Sequence, residues 1–247
     1  MEVILSANVT IHGINLTHSR PAVLAVDIGA TKMAFGLVSS DGTVLHQMRA
    51  PSPKDAASNL DLIRSSGLEL LGHASGRDID IVATGIACGG PLDLDEGLVL
   101  SPPNLPDWDR IPITAIVREA FGHPAYLQND AGAGAIATFL WDNPEGVRDV
   151  TYITVSSGVG CGVIVDGTLF SGCSGNGSEL GHIPLVYGGR KCRCGQRGCI
   201  EAYVSGTSIG ERFTESQSSP EKAWTARDLA QLAGQGDTVA AAFWFDS

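Results

Sequence analysis

The sequence predicts an α/β protein made of two lobes of related architecture with a cleft between them. Its 247 residues are enough for one large domain or two modest ones. Hydrophobic residues make up 43% and glycine occurs 31 times, which fits strands joined by tight turns better than a helical bundle. One grammar then appears twice, at about 22–46 and 150–171: strand, small-residue turn, strand, Asp-Gly turn, strand. A repeated supersecondary unit is the mark of two related lobes.

The elements follow in chain order. MEVILSANVTIHGINLTHSR, residues 1–20, has no basic start followed by a sustained apolar run, so it reads as an extension and not a signal peptide. AVLAVDIG is an apolar strand ending in Asp27 and a glycine turn, MAFGLVSS is a second strand, and Asp41-Gly42 turns the chain into TVLHQMRA. This meander differs from the strand–loop–helix of a dinucleotide fold. Residues 57–73 carry apolar side chains at helical spacing, with Gly72 as the expected stop. IDIVATGIACGGPLD reads as a buried strand running into a Gly-Gly-Pro loop. After SPPNLPDWDRIPI come a helix over 113–121, the short strand AYLQND and the small-residue helix AGAGAIATFLW. The second meander follows, then helices over 206–213 and 225–235. The expected organisation is an extension (1–20), a first lobe (21–138) and a second lobe (139–247).

Composition removes several function classes. Sixteen Lys and Arg face 27 Asp and Glu, a formal charge of −11 that repels phosphate backbones, so no nucleic-acid partner is expected. No apolar run approaches the ~20 residues that span a bilayer, so no membrane association is expected. Six cysteines, three of them clustered, do not make a disulfide framework, and a reducing cytoplasm is the expected location.

Four stretches carry chemistry. In DIGATK, Gly29 permits close backbone approach to a phosphate, Thr31 offers a hydroxyl and Asp27 a carboxylate suited to Mg²⁺; taken alone, the motif fits an ordinary hairpin turn better. SSGVGCG, Ser156 to Gly162, occupies the matching turn of the second meander and offers amides and hydroxyls for an anion nest. In QND, a strand gives way to a helix; Asp130 reads first as a helix cap and second as a general base, with Asn129 bonding a neighbouring oxygen. Finally, Cys192, Cys194 and Cys199 lie within eight residues, and His182 precedes them by ten. Cys₃His is an established zinc set, and Gly195 and Gly198 bend the loop tightly enough for three thiolates to converge. Arg190, Lys191, Arg193 and Arg197 interleave with them as a solvated face, a phosphate contact or charge compensation for the thiolates. Cys88, Cys161 and Cys173 read as small core or turn residues.

Together DIGATK, GIACGGPLD, SPPNLPDW, NDAGAGA, SSGVGCGVIVDG, ELGH and CRCGQRGCIEAY resemble the ROK family of sugar kinases and sugar-responsive repressors, over about residues 22–213. The resemblance implies an actin-like, hexokinase-type ATPase fold: two α/β lobes, the active site in the cleft. It implies ATP-dependent phosphorylation of a glucose-like hexose, at the 6-hydroxyl, with Asp130 as the base. A carboxylate is far too weak a base to deprotonate a free alcohol in advance, so it acts late, as the O–P bond forms. Sugar contacts are implied for Gly90, Asn104, Asn129, Asp130, Glu179, His182 and Glu201. Contacts to ATP and Mg²⁺ are implied for Asp27, Gly29, Thr31, Lys32, Ser157, Gly158 and Gly160. A structural Zn²⁺ is implied on His182, Cys192, Cys194 and Cys199, ordering the wall of the sugar site without acting as electrophile.

The chain departs from the family pattern in three places. Ser156-Ser157-Gly158 stands where Gly-Thr-Gly is usual, and Gly132 and Thr138 stand where the family helix places Asn and Glu. Family members run some fifty or more residues further, so an incomplete second lobe and impaired nucleotide affinity are expected. The competing reading is a non-catalytic sugar sensor; a homodimer or tetramer is the expected assembly.

Overall fold

The structure, a computed structural model, describes residues 20–105, 107–143, 147–173, 175, 177–217 and 222–245. The extension expected over 1–20 therefore lies almost wholly outside the described residues. The chain divides into two compact units, the first comprising residues up to 152 together with 162–177, the second 153–161 together with 178–247.

The first unit is built on a five-stranded sheet. β1 (Arg20–Ile28), β2 (Lys32–Ser39) and β3 (Val44–Pro51) form the antiparallel meander read from the sequence. α1 (Ala56–Ser75) then leads to β4 (Ile79–Cys88), which pairs parallel to β1. The short pair β5 (Leu92–Asp93) and β6 (Leu98–Val99) follows. α2 (Ile113–Phe121) leads to β7 (Ala125–Asn129), parallel to β4, and the sheet order is β3-β2-β1-β4-β7. The central position of β1 explains its composition: Leu24, Val26 and Ile28 are buried while β3, at the edge, carries His46, Gln47 and Arg49.

Helix α1 buries Asn59, Ile63, Ser66, Gly67, Leu70 and Ala74, one stripe at intervals of three and four. Asp55 starts it by accepting from the Ser58 N–H at 2.9 Å. Gly72 does not end it. The helix continues to Ser75 and stops at Gly76, because Leu70 and Ala74 still face the core and a single interior glycine costs only about 1 kcal/mol. Gly122, at φ 75°, closes α2 in the left-handed conformation.

α3 (Asp130–Trp141) leads into β8 (Val150–Val155), β9 (Val159–Val165) and β10 (Thr168–Leu169), which form a three-stranded sheet in the order β10-β9-β8. The small residues of α3 have a packing reason. A Cβ at Gly162 of β9 would run into the Ala131 carbonyl oxygen and the Ala135 methyl. Gly162→Ala is therefore expected to destabilise the protein by about 2 kcal/mol, because neither the Ala131 backbone nor the short Ala135 methyl can rotate out of the way; an unshifted denaturant midpoint would contradict this.

The second unit contains a 3-10 turn (Leu180–His182), α4 (Glu201–Val204), α5 (Gly206–Ser216), α6 (Ala226–Gly234) and α7 (Thr238–Phe245). Phe213 of α5 is buried between the edges of Trp224 and Phe243. Thr225 and Asp228 close a reciprocal capping box at the start of α6. Among the described residues no helix is long and apolar enough to cross a membrane.

Candidate active site and metal centre

The first unit gathers its polar groups at the ends of adjacent strands. Asp27 stands near the end of β1, Cys88 ends β4, and Asn129 ends β7. The parallel register places Asp27 beside Ala87 and Cys88 beside Asn129. Ligand sites in open α/β sheets lie at such carboxyl ends.

Asn129, not Asp130, caps α3. Its Oδ1 accepts from the N–H groups of Ala131 at 3.0 Å and Gly132 at 3.2 Å, leaving Asp130 as the first helical residue. The capping role first read for Asp130 belongs to its neighbour, because an amide oxygen just outside the helix reaches the second and third amides. Asp130, freed from that task, is exposed with its Oδ1 on the Ala131 N–H, where the helix dipole favours a carboxylate. The Asn129 amide nitrogen lies close to where a Cβ of Gly90 would stand.

Asp27 feels Asp130. Desolvation by the surrounding walls, then the Asp130 charge, raises its pKa above 3.8, partly offset by Lys32 and Arg49. Buried Cys88 lies near both carboxylates, and burial together with their charges pushes its thiol up to about 12. A neutral, small side chain there fills space and does no acid–base work at neutral pH.

Thr31 and Lys32 are exposed where the chain turns from β1 into β2. A Cβ at Gly29 would meet the Lys32 carbonyl, so the glycine serves the turn itself. Asn104 is exposed in the turn that follows Pro102 and Pro103.

Asp27→Asn is expected to stabilise the ligand-free protein at neutral pH. A raised folded-state pKa means a contribution fully present below 3.8 and lost as pH rises through the raised value. Removing the ionised carboxylate therefore helps at pH 7, and the gain shrinks as the pH is lowered toward 3.8. Denaturant titrations at both pH values measure it; an equal gain at both would contradict the charge origin.

In the second unit the ligand atoms of His182, Cys192, Cys194 and Cys199 all lie within 4.8 Å of one another. Cys194 Sγ is 3.7 Å from Cys199 Sγ, and Cys192 Sγ is 3.7 Å from His182 Nδ1. Tetrahedral zinc with Zn–S near ~2.3 Å and Zn–N near ~2.0 Å requires about 3.8 Å between sulfurs and about 3.5 Å between sulfur and nitrogen. The donor set and its spacing fit a zinc ion. Burial pushes the Cys199 thiol up to about 12 and raises Cys192 as well, a state a divalent cation would invert.

The loop owes little to apolar packing. Its buried cluster consists of Cys192, Cys199 and Ala202, with Tyr203 packed against them. Salt bridges tie it to α5: Arg190 meets Glu215 bidentately at 2.6 and 3.0 Å, and Arg193 meets Glu211 at 2.8 Å. Arg197 donates to the Gly189 carbonyl. Arg190 and Arg193 are thus partnered by α5, a pairing whose only sequence trace is the i,i+4 spacing of Glu211 and Glu215.

The 3-10 turn settles how Glu179 and His182 face: His182 Nε2 is 4.0 Å from Glu179 Oε2, with Nδ1 toward the sulfurs. At that separation the Glu179 carboxylate is an ionic neighbour of the imidazole, beyond hydrogen-bond reach. Glu201 Oε2 accepts from the Val159 N–H at 2.8 Å, and its Oε1 lies 3.9 Å from Cys192 Sγ. The turn beyond β8 is held at Ser156 and Ser157, whose carbonyls accept from the Gly206 N–H and the Thr207 hydroxyl.

The sequence profile of the ROK family matches residues 23–247. A glucokinase from Thermotoga maritima is 33% identical over 230 residues, covering 88% of this chain and 71% of its own. A xylose repressor from Bacillus spizizenii is 26% identical over 222 residues, 87% of this chain and 54% of its own. Among solved structures, a ROK family glucokinase from Streptomyces griseus in complex with glucose and AMPPNP matches with a TM-score of 0.77 and 31% identity, covering 90% of this chain and 74% of that one. The mixed α/β architecture is that of the actin-like ATPase fold.

Proposed function

The chain belongs to the ROK family, and from that premise we propose that it is a sugar kinase, transferring the γ-phosphoryl group of ATP to a hexose hydroxyl, with the 6-hydroxyl of a glucose-like sugar as acceptor. One observation carries the reading: Asp130 is an exposed, uncapping carboxylate at the N-terminus of α3, next to a second carboxylate, Asp27. Two carboxylates close enough for the charge of one to raise the pKa of the other suit one proton acceptor and one metal-ligating group.

Asp130 accepts the hydroxyl proton as the O–P bond forms, while Asn129, Gly90 and Asn104 orient the sugar from the first unit. Asp27 and Thr31 are the residues to hold Mg²⁺, which neutralises phosphate charge when bound with the nucleotide; Gly29 and Lys32 complete that turn. In the second unit Glu179, His182 and Glu201 are the groups for sugar hydroxyls, and the Ser157–Gly160 turn is the group for phosphate. A site that hydrogen-bonds several hydroxyls discriminates strongly against analogues lacking one of them. His182, Cys192, Cys194 and Cys199 would hold Zn²⁺, which would supply structural order and not electrophilic chemistry.

The test is ADP release by the zinc-replete protein across a panel of hexoses and N-acetylhexosamines. Sugar-dependent release supports the reading. Sugar binding without release for any member would favour the sensor reading, which the likeness to a xylose repressor keeps in view.

A further inference from the structure

We propose that Glu201 is a positioning residue: its carboxylate is the strut by which the metal-ordered loop fixes the glycine turn Ser156–Gly160. Three contacts within the second unit carry this. Glu201 Oε2 accepts from the Val159 N–H at 2.8 Å, a hydrogen bond strengthened by the carboxylate charge. A Cβ at Gly158 would stand 2.6 Å from that same oxygen, so a side chain there would displace the carboxylate from the Val159 N–H. On the loop side, Glu201 follows the ligand Cys199 by two residues, and its Oε1 lies 3.9 Å from the ligand sulfur of Cys192.

The turn is gripped on its other side too. A Cβ at Gly181, beside the ligand His182, would collide with the Val159 carbonyl. Val159 is therefore held between residues adjacent to two ends of the metal set. With the Ser156 and Ser157 carbonyls bound by the start of α5, the N–H groups of Ser157 and Gly158 donate to no atom among the described residues. Those two amides are what the turn offers an anion. Resting on the kinase reading for what that anion is, the strut links metal occupancy to nucleotide affinity, although no ligand of the metal belongs to the turn.

The experiment uses the zinc-loaded 247-residue chain and reads amide hydrogen exchange at Val159 together with AMP-PNP affinity. Gly158→Ala displaces the carboxylate without changing it, Glu201→Ala removes it, and Glu201→Gln keeps a carbonyl acceptor without the charge. The first two are expected to speed Val159 exchange by about tenfold or more, the loss of one hydrogen bond to a charged group. Their double variant is expected to add nothing further, and Glu201→Gln to restore part of the protection. Chelation of the metal should speed the same amide, and AMP-PNP affinity should fall about tenfold in Gly158→Ala.

Exchange at Val159 unchanged by Glu201→Ala or by chelation overturns the strut. Equal AMP-PNP affinity in Gly158→Ala and the wild type, with exchange altered, overturns its link to the nucleotide. Altered exchange in a wild type that binds no AMP-PNP leaves the strut standing and removes the nucleotide reading instead. If Gly158→Ala fails to fold, the Glu201→Gln and Glu201→Ala pair carries the same comparison.

Discussion

Asp130→Asn is expected to lower kcat by about 10³-fold, roughly 4 kcal/mol of transition-state stabilisation, while sugar affinity stays within about twofold. The asymmetry follows from its place. Asn129 holds the α3 cap, so the helix start survives the substitution, and an amide at position 130 still sits on the Ala131 N–H. What the proposed mechanism loses is its proton acceptor, needed only as the O–P bond forms. Steady-state kinetics and sugar titration on one preparation measure both quantities. A parallel loss of affinity and turnover would mean that Asp130 orients the sugar instead of taking its proton.

Metal removal is expected to have the largest effect on stability, and to confine it to the second unit. The loop from 183 to 200 holds three of the four proposed ligands and follows the fourth, His182, while its buried apolar cluster is Cys192, Cys199 and Ala202. The first unit keeps its own core, from Leu24, Val26 and Ile28 through Trp108, Ile113 and Val117. Chelation, or Cys199→Ser, is therefore expected to split thermal unfolding into two transitions and lower the first by on the order of 10 °C. Zinc should restore the chelated wild type and not the variant. The salt bridges of Arg190 and Arg193 to α5 will not compensate, since such exposed pairs contribute about 1 kcal/mol or less each. A single transition insensitive to chelation would show that the loop stands without metal.

Much of this was legible in the residues. The meander of β1 to β3 was written in apolar runs separated by Asp-Gly and glycine turns. Helices α1 and α2 declared themselves through period-3.6 stripes. The Cys₃His grouping was visible as three thiols and an imidazole near one another with glycines between, and the family resemblance made zinc the expectation. Less legible were features decided by geometry beyond a few residues. Gly72 looked like a stop because sequence does not show that Ala74 still meets the core. The choice between Asn129 and Asp130 as cap turns on one residue of helix boundary, which two adjacent capping-competent side chains leave open. The Arg190 and Arg193 pairings join residues 25 and 18 positions apart. The bond from Val159 to Glu201 spans 42 and leaves no periodic trace.

Phosphoryl transfer to a sugar is tested most directly by phosphorus-31 NMR of the zinc-replete protein with Mg-ATP and glucose. A new phosphomonoester resonance, split by the two protons of the 6-carbon and absent with Asp130→Asn, is the predicted result. Glucose bound at equilibrium with no ester formed, and ATP left intact, would contradict it.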